Sequence, residues 1–202
     1  MKPIRPAKLL NEIEANAKAN IPTMIWGSPG LGKSDIAREA AKRMNAKLFE
    51  VRANLFDPVD VRGGLKIVET LDNLGKGTGE YRTVYGVPED YPDSNYQGNV
   101  MLFVDELPNA SKATQNALLQ LLLDKKIGSY NLPPQTVIVA AGNRAADRAA
   151  VNEMPTPVKN RFAHYELVEN VDDWVGWALN HSVDPTLIGF IRFRPTLLNK
   201  PD

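Results

Sequence analysis

The sequence predicts an α/β fold in three layers, a mainly parallel five-stranded sheet between helices, followed by a short helical piece. Three observations predict it. Short apolar runs alternate with segments of helical period along most of the chain. Two of those runs, "NVMLFVDE" and "TVIVAAGN", are apolar throughout until a polar tip, as strands buried on both faces are. The first run, "TMIW", breaks into a glycine-rich loop that opens a helix, and "KLFEV" then supplies the next strand of a βαβ unit.

In chain order, residues 1–21 read as a leading amphipathic helix, with Leu9, Leu10, Ile13 and Ala17 at helical spacing until Asn20-Ile21-Pro22 breaks it. Thr23 to Trp26 is the first strand. Ile36, Ala37, Ala40, Ala41 and Met44 mark one face of the helix after the loop, and Lys47 to Val51 is the second strand. Residues 72–99 change character: five Gly, two Pro and four Tyr, with a hairpin signal at "EYRTVYGV", suggest a surface insertion. Asn99 to Glu106 is the third strand. A helix follows through Ala113, Ala117, Leu118, Leu121 and Leu122, with Asn109 or Ser111 as its cap. Thr136 to Asn143 is the fourth strand, Pro155 to Phe162 a short helix, and "AHYEL" the fifth strand. The α/β domain thus spans residues 1–169. Residues 170–202 hold two helices, the first with Trp174, Trp177 and Ala178 on one side.

Composition bounds what such a domain does. In 202 residues, 24 Lys and Arg balance 24 Asp and Glu, so no overall basic field points to nucleic acid or an anionic membrane. No cysteine is present, which excludes disulfides, thiolate zinc sites and thiol nucleophiles; two distant histidines suggest no metal centre. No apolar run reaches the roughly 18 residues a bilayer-spanning helix needs, and charges interrupt the N-terminus before a signal peptide could form. The expected setting is the cytoplasm.

The chemistry begins at Gly27-Ser28-Pro29-Gly30-Leu31-Gly32-Lys33-Ser34, which satisfies G-x-x-x-x-G-K-[ST] between a strand and a helix. Glycines allow backbone N–H groups to turn inward onto phosphate oxygens, and the helix N-terminus adds its positive end at Lys33, Ser34 and Asp35. Lys33 would reach the β and γ phosphates of ATP, and the Ser34 hydroxyl would bind Mg²⁺. Asp105, at the carboxyl end of a buried strand, would share that metal ion. Glu106, directly after it, can polarise water for attack on a γ-phosphate, which suits a hydrolase better than a small-molecule kinase. Asn143, at the tip of the next buried strand, admits two readings: an amide that reaches the γ-phosphate or the attacking water, and a strand-end residue that caps a turn.

Taken in this order, "GSPGLGKS", "MLFVDE", "VIVAAGN" and "PVKNRF" resemble the AAA+ ATPases, and within them the MoxR and dynein-related branch, over Pro22 to Leu167. The resemblance implies that Asn143 is the first sensor and that Arg161, before the last strand, reaches the γ-phosphate of a neighbouring subunit; Arg144 and Arg148 are rivals for that role. It implies a ring, usually a hexamer, which uses ATP to remodel or activate a protein client, often one with a von Willebrand factor A domain. It also implies a helical lid with a second sensor arginine. Arg192 and Arg194 stand near that place, but two helices make the lid incomplete by the family pattern. The terminal Asn199-Lys200-Pro201-Asp202 matches the guanine-reading N-K-x-D, yet it lacks the strand that should precede it. A P-loop kinase and a nucleotide-gated binding module without turnover remain as alternative functions.

Overall fold

Each residue from Val100 to Val104 is at most 1% exposed, and this run is the spine of the fold. The computed structural model describes residues 1–127, 130–144, 154 and 156–199. In chain order its elements are β1 (Lys2–Ile4), α1 (Pro6–Lys18), β2 (Thr23–Trp26), α2 (Lys33–Arg43), β3 (Ala46–Arg52), α3 (Pro58–Arg62), β4 (Leu65–Leu71), β5 (Gly77–Tyr85) and β6 (Asn99–Asp105). These are followed by α4 (Lys112–Asp124), β7 (Lys126–Ile127), β8 (Tyr130–Asn131), β9 (Val137–Gly142), α5 (Thr156–Lys159), β10 (Ala163–Leu167), α6 (Val171–Asn180) and α7 (Pro185–Phe193).

The main sheet runs β1-β10-β2-β9-β6-β3, and every neighbouring pair is parallel. Alternation along β6 builds the two cores, because successive side chains point to opposite faces. Met101 and Phe103 join Leu9, Ile13, Ile36 and Ala40 of α1 and α2 on one face. Leu102 and Val104 join Leu118, Leu121 and Leu122 of α4 on the other. The three-layer α/β architecture is therefore as expected, with β2, β9 and β6 ending side by side where the glycine loop begins.

Some details depart from the sequence reading. The sheet has six strands, because β1 pairs with β10 outside the five expected. Lys2-Pro3-Ile4 is too short to show a period, and Pro3 suits only an edge, which is where it lies. The insertion begins earlier than Asp72, because β4 from Leu65 pairs antiparallel with β5 in a separate two-stranded sheet. Asp72 makes the turn between them, its Oδ1 accepting the N–H groups of Leu74 and Lys76 at 2.9 Å each. Nor is the rest of the insertion purely surface. Tyr91 is buried and stacks on Tyr130 at 5.8 Å, and burial raises the pKa of both phenols above the usual tyrosine value.

Of the two candidate caps of α4, Ser111 is the one: its Oγ accepts the Thr114 N–H at 3.1 Å, while Asn109 lies in the preceding 3-10 turn. The two helices after β10 form their own small core from Val175, Ala178 and Ile188, with Trp174 packed against it. Trp177 turns away from that side, 39% exposed, and stacks on His181. Asp173 of α6 accepts the Ala7 N–H at 2.9 Å and so ties this helical piece to α1. Among the described residues, no helix is long and apolar enough to cross a membrane.

Candidate functional site

The phosphate loop joins β2 to α2 at the carboxyl ends of the parallel strands, where open α/β sheets place their ligands. Gly27 N–H donates to Gly142 O at 3.2 Å, extending the β2–β9 ladder by one step before the chain turns. Gly30 and Gly32 then take φ of +80° and +76°, a region that side chains with a Cβ avoid, so glycine is required at both. Gly32 caps α2, and Lys33, Ser34 and Asp35 form the helix's first turn with their N–H groups facing the loop. The Asp35 carboxylate itself turns outward to Arg38 at 2.9 Å, so only its backbone serves an anion.

Five of the residues singled out by sequence meet here. Lys33 Nζ donates to Gly27 O at 2.8 Å, to Ser28 O at 3.0 Å and to Asn143 Oδ1 at 2.9 Å. Ser34 Oγ donates to Asp105 Oδ2 at 3.2 Å, so hydroxyl and carboxylate already face one another. The other Asp105 oxygen accepts the Glu106 N–H at 2.9 Å. A magnesium ion fits this donor set: it takes one or two protein oxygens and completes its shell with phosphate oxygens and water. No cluster of three or more acidic or histidine ligands lies among the described residues, so an all-protein cage is not what they build.

Glu106, directly after β6, lies in the left-handed region, φ 53°, which costs a non-glycine residue about 1 kcal/mol. That turn leaves the carboxylate half-buried, without a hydrogen bond or ion pair among the described residues. The Asn143 NH₂ group is likewise without a partner among them, because its oxygen is the atom that holds Lys33. The arrangement therefore offers a cation, a metal-binding pair, an unpaired base and an unpaired amide donor around one loop.

Gly142 is the packing hinge of this cluster. A Cβ there would lie 2.5 Å from Pro108 Cγ and 3.1 Å from Met24 Cε, so Gly142→Ala must displace the Leu107–Asn109 turn that follows Glu106. The expected loss is about 1–3 kcal/mol of stability, measured by chemical denaturation, together with weaker turnover as Glu106 and Asn143 shift apart.

The candidate arginines separate. Arg144 faces its own chain's loop: its guanidinium donates to Ser28 Oγ and, at 3.0 Å, to Glu166 Oε1 of β10. Arg161 lies beyond the opposite end of β10, about 16 Å of strand from the loop, and is 60% exposed. It forms an ion pair with Asp124 at 3.9 Å. Arg194 lies over the Phe193 ring at 5.5 Å, and both Arg192 and Arg194 are exposed. Arg148 and residues 200–202 lie outside the described residues. Asn199 Oδ1 lies 3.7 Å from where a Gly30 Cβ would be, so the end of the helical piece borders the loop.

Two contacts were not anticipated. One is the Arg144 bridge to Glu166; the arginine directly after the strand-tip Asn143 was the only hint of it. The other pins Trp26, the residue before the loop: its Nε1–H donates to His164 Nδ1 at 2.9 Å, and His164 Nε2 lies 2.7 Å from Lys159 O. This pattern places the neutral imidazole's proton on Nε2.

Comparison with known proteins bears on the family and the fold. The family profile described as AAA domain, dynein-related subfamily, matches residues 22–162. No curated protein matches the chain. Among solved structures, a candidate ATPase from Cytophaga hutchinsonii superposes with a TM-score of 0.56 at 18% identity, covering 81% of this chain and 46% of that one. The Thermotoga maritima RuvB Holliday junction branch migration motor gives 0.52 at 17%, covering 85% and 47%. NtrX from Brucella abortus, in complex with ADP, gives 0.50 at 18%, covering 89% and 42%. These likenesses establish the fold, and the chain spans about half the length of each of these structures.

Proposed function

This chain belongs to the dynein-related subfamily of AAA domains, and on that premise we propose that it binds ATP with Mg²⁺ and hydrolyses the γ-phosphate bond as one subunit of a MoxR-type ring. The observation that carries the proposal is the Glu106 carboxylate, without a partner among the described residues, beside the Lys33, Ser34, Asp105 and Asn143 cluster.

The loop's N–H groups and Lys33 hold the phosphates. Ser34 and Asp105 hold the magnesium ion, which when bound offsets the charge on the phosphate oxygens. Glu106 takes a proton from the attacking water, and the Asn143 amide orients that water or the γ-phosphate. Arg161, too far away to serve its own loop, serves the site of the next subunit. The ring, usually a hexamer in this branch, would remodel or activate a protein client in the cytoplasm; a von Willebrand factor A domain is the candidate.

Phosphate release from ATP and Mg²⁺, followed over a range of protein concentrations, tests this. A rate per subunit that climbs as subunits associate is expected. ATP binding with no release at any concentration would leave a nucleotide-gated binding module, and transfer to an added small acceptor instead of water would indicate a kinase.

A further inference from the structure

Among the described residues, Arg144 is the arginine whose guanidinium bonds to the phosphate loop of its own chain. It follows Asn143 directly, and two of its bonds lead to different elements. One goes to the Ser28 hydroxyl, 5% exposed at the start of the loop; the other goes to Glu166 on β10. In the sheet, β2 lies between β9 and β10, and Glu166 is in register with Trp26, the last residue of β2. The arginine therefore straps the sensor strand to β10 across the first residues of the phosphate loop. Arg144 and Glu166 are each about one-third exposed, at 33% and 29%, so water screens the pair only in part.

We propose that Arg144 acts in cis as a reader of the terminal phosphate and reports its presence to β10 by exchanging Glu166 for phosphate. This rests on the nucleotide reading above. The competition follows from charge: a planar guanidinium offers several N–H donors to any oxyanion within reach, and phosphate attracts them at least as strongly as a carboxylate does. ADP lacks the γ-phosphate, so ATP shifts the arginine and ADP leaves it on Glu166. What Glu166 feels passes along a short path. Leu167 is buried beside Gly27, Val168 N–H donates to Ile4 O at 3.0 Å, and Asn170 caps α6. The helical piece after β10 is thereby coupled to the nucleotide through one side chain.

The test compares binding of ATPγS and ADP, each with Mg²⁺, in the wild type, Arg144→Ala, Arg144→Lys and Glu166→Gln. Arg144→Ala is expected to weaken ATPγS about tenfold and ADP less than twofold, the loss of one charge-assisted contact. Arg144→Lys should recover part of that loss, because it keeps the charge without the fork. Glu166→Gln should tighten ATPγS two- to threefold, roughly the effect of removing a partly screened competitor. Amide hydrogen exchange over residues 163–175 supplies a readout that a merely structural role would not move. The wild type should show an ATPγS-against-ADP difference there that both Arg144→Ala and Glu166→Gln abolish. Equal weakening of both nucleotides in Arg144→Ala, or an exchange difference that persists in Glu166→Gln, overturns the inference. If the wild type binds neither nucleotide, the proposed function falls as well. If it binds and hydrolyses ATP while Arg144→Ala keeps the wild-type ratio, only this inference falls.

Discussion

Glu106→Gln should lower ATP turnover by about 10²–10⁴-fold while ATP affinity stays within roughly twofold, the usual effect of removing a general base. The separation is expected because the two carboxylates at the end of β6 do different work. Asp105 is engaged with the Ser34 hydroxyl and with the Glu106 N–H, which fits the metal-holding role proposed for it. The Glu106 carboxylate has no partner among the described residues, so an isosteric amide there breaks no bond with any of them. Stability should change by no more than about 0.5 kcal/mol. Single-turnover phosphate release, set beside equilibrium binding of ATP, measures both quantities. A loss of turnover below tenfold would remove Glu106 from the base's role, and a parallel loss of binding would mean that it serves the metal ion instead. Glu106→Gly sharpens the point. It relieves the left-handed backbone at φ 53° and should gain up to about 1 kcal/mol in thermal or chemical denaturation, yet lose turnover as fully as Gln does.

That opposition between stability and chemistry at one residue was partly legible in the sequence. The order Asp105-Glu106 after an apolar run placed both carboxylates at a strand end, but nothing in the order revealed the left-handed turn. More generally, what was legible was what is local. β2, β6 and β9 announce themselves as apolar runs because they are buried on both faces, and their tips carry Gly27, Asp105 and Asn143 in chain order. β1 was not legible, because three residues contain no period and its pairing with β10 joins segments some 160 residues apart. The Arg144–Glu166 and Trp26–His164 contacts were hidden for the same reason. Both depend on the order β10-β2-β9, which a linear pattern does not carry. The hairpin β4–β5 was misplaced: the signal at "EYRTVYGV" falls within and just after β5, the turn lies at Asp72 to Lys76, and "LKIVETL" was not seen as the first strand. Arg161 is a different case. Its role was assigned only through resemblance to a family, and the phosphate that role requires would lie on another subunit.

For that reason the strongest test of Arg161 uses two defective proteins together. Arg161→Ala alone should lower turnover by about 10³-fold or more, the range for an arginine that stabilises charge on a transferring phosphoryl group. It should cost little stability, because its ion pair with Asp124 is 3.9 Å long and both side chains are about 60% exposed. The loss cannot arise within the chain's own site, because Arg161 and the phosphate loop lie at opposite ends of β10. Mixed with Glu106→Gln, each protein should supply what the other lacks. An intact base in one subunit meets an intact arginine from the next at about a quarter of the interfaces in a randomly mixed, equimolar ring. Turnover should then rise far above that of either protein alone, on dilution fall back to their sum, and vanish again if one protein carries both substitutions. A mixture no more active than its parts, with association of the subunits verified by sedimentation, would mean that Arg161 does not complete a neighbour's site. Turnover by Arg161→Ala alone at the wild-type rate would mean that each chain hydrolyses ATP with its own residues, and Arg144, already on the loop, would then be the arginine to examine.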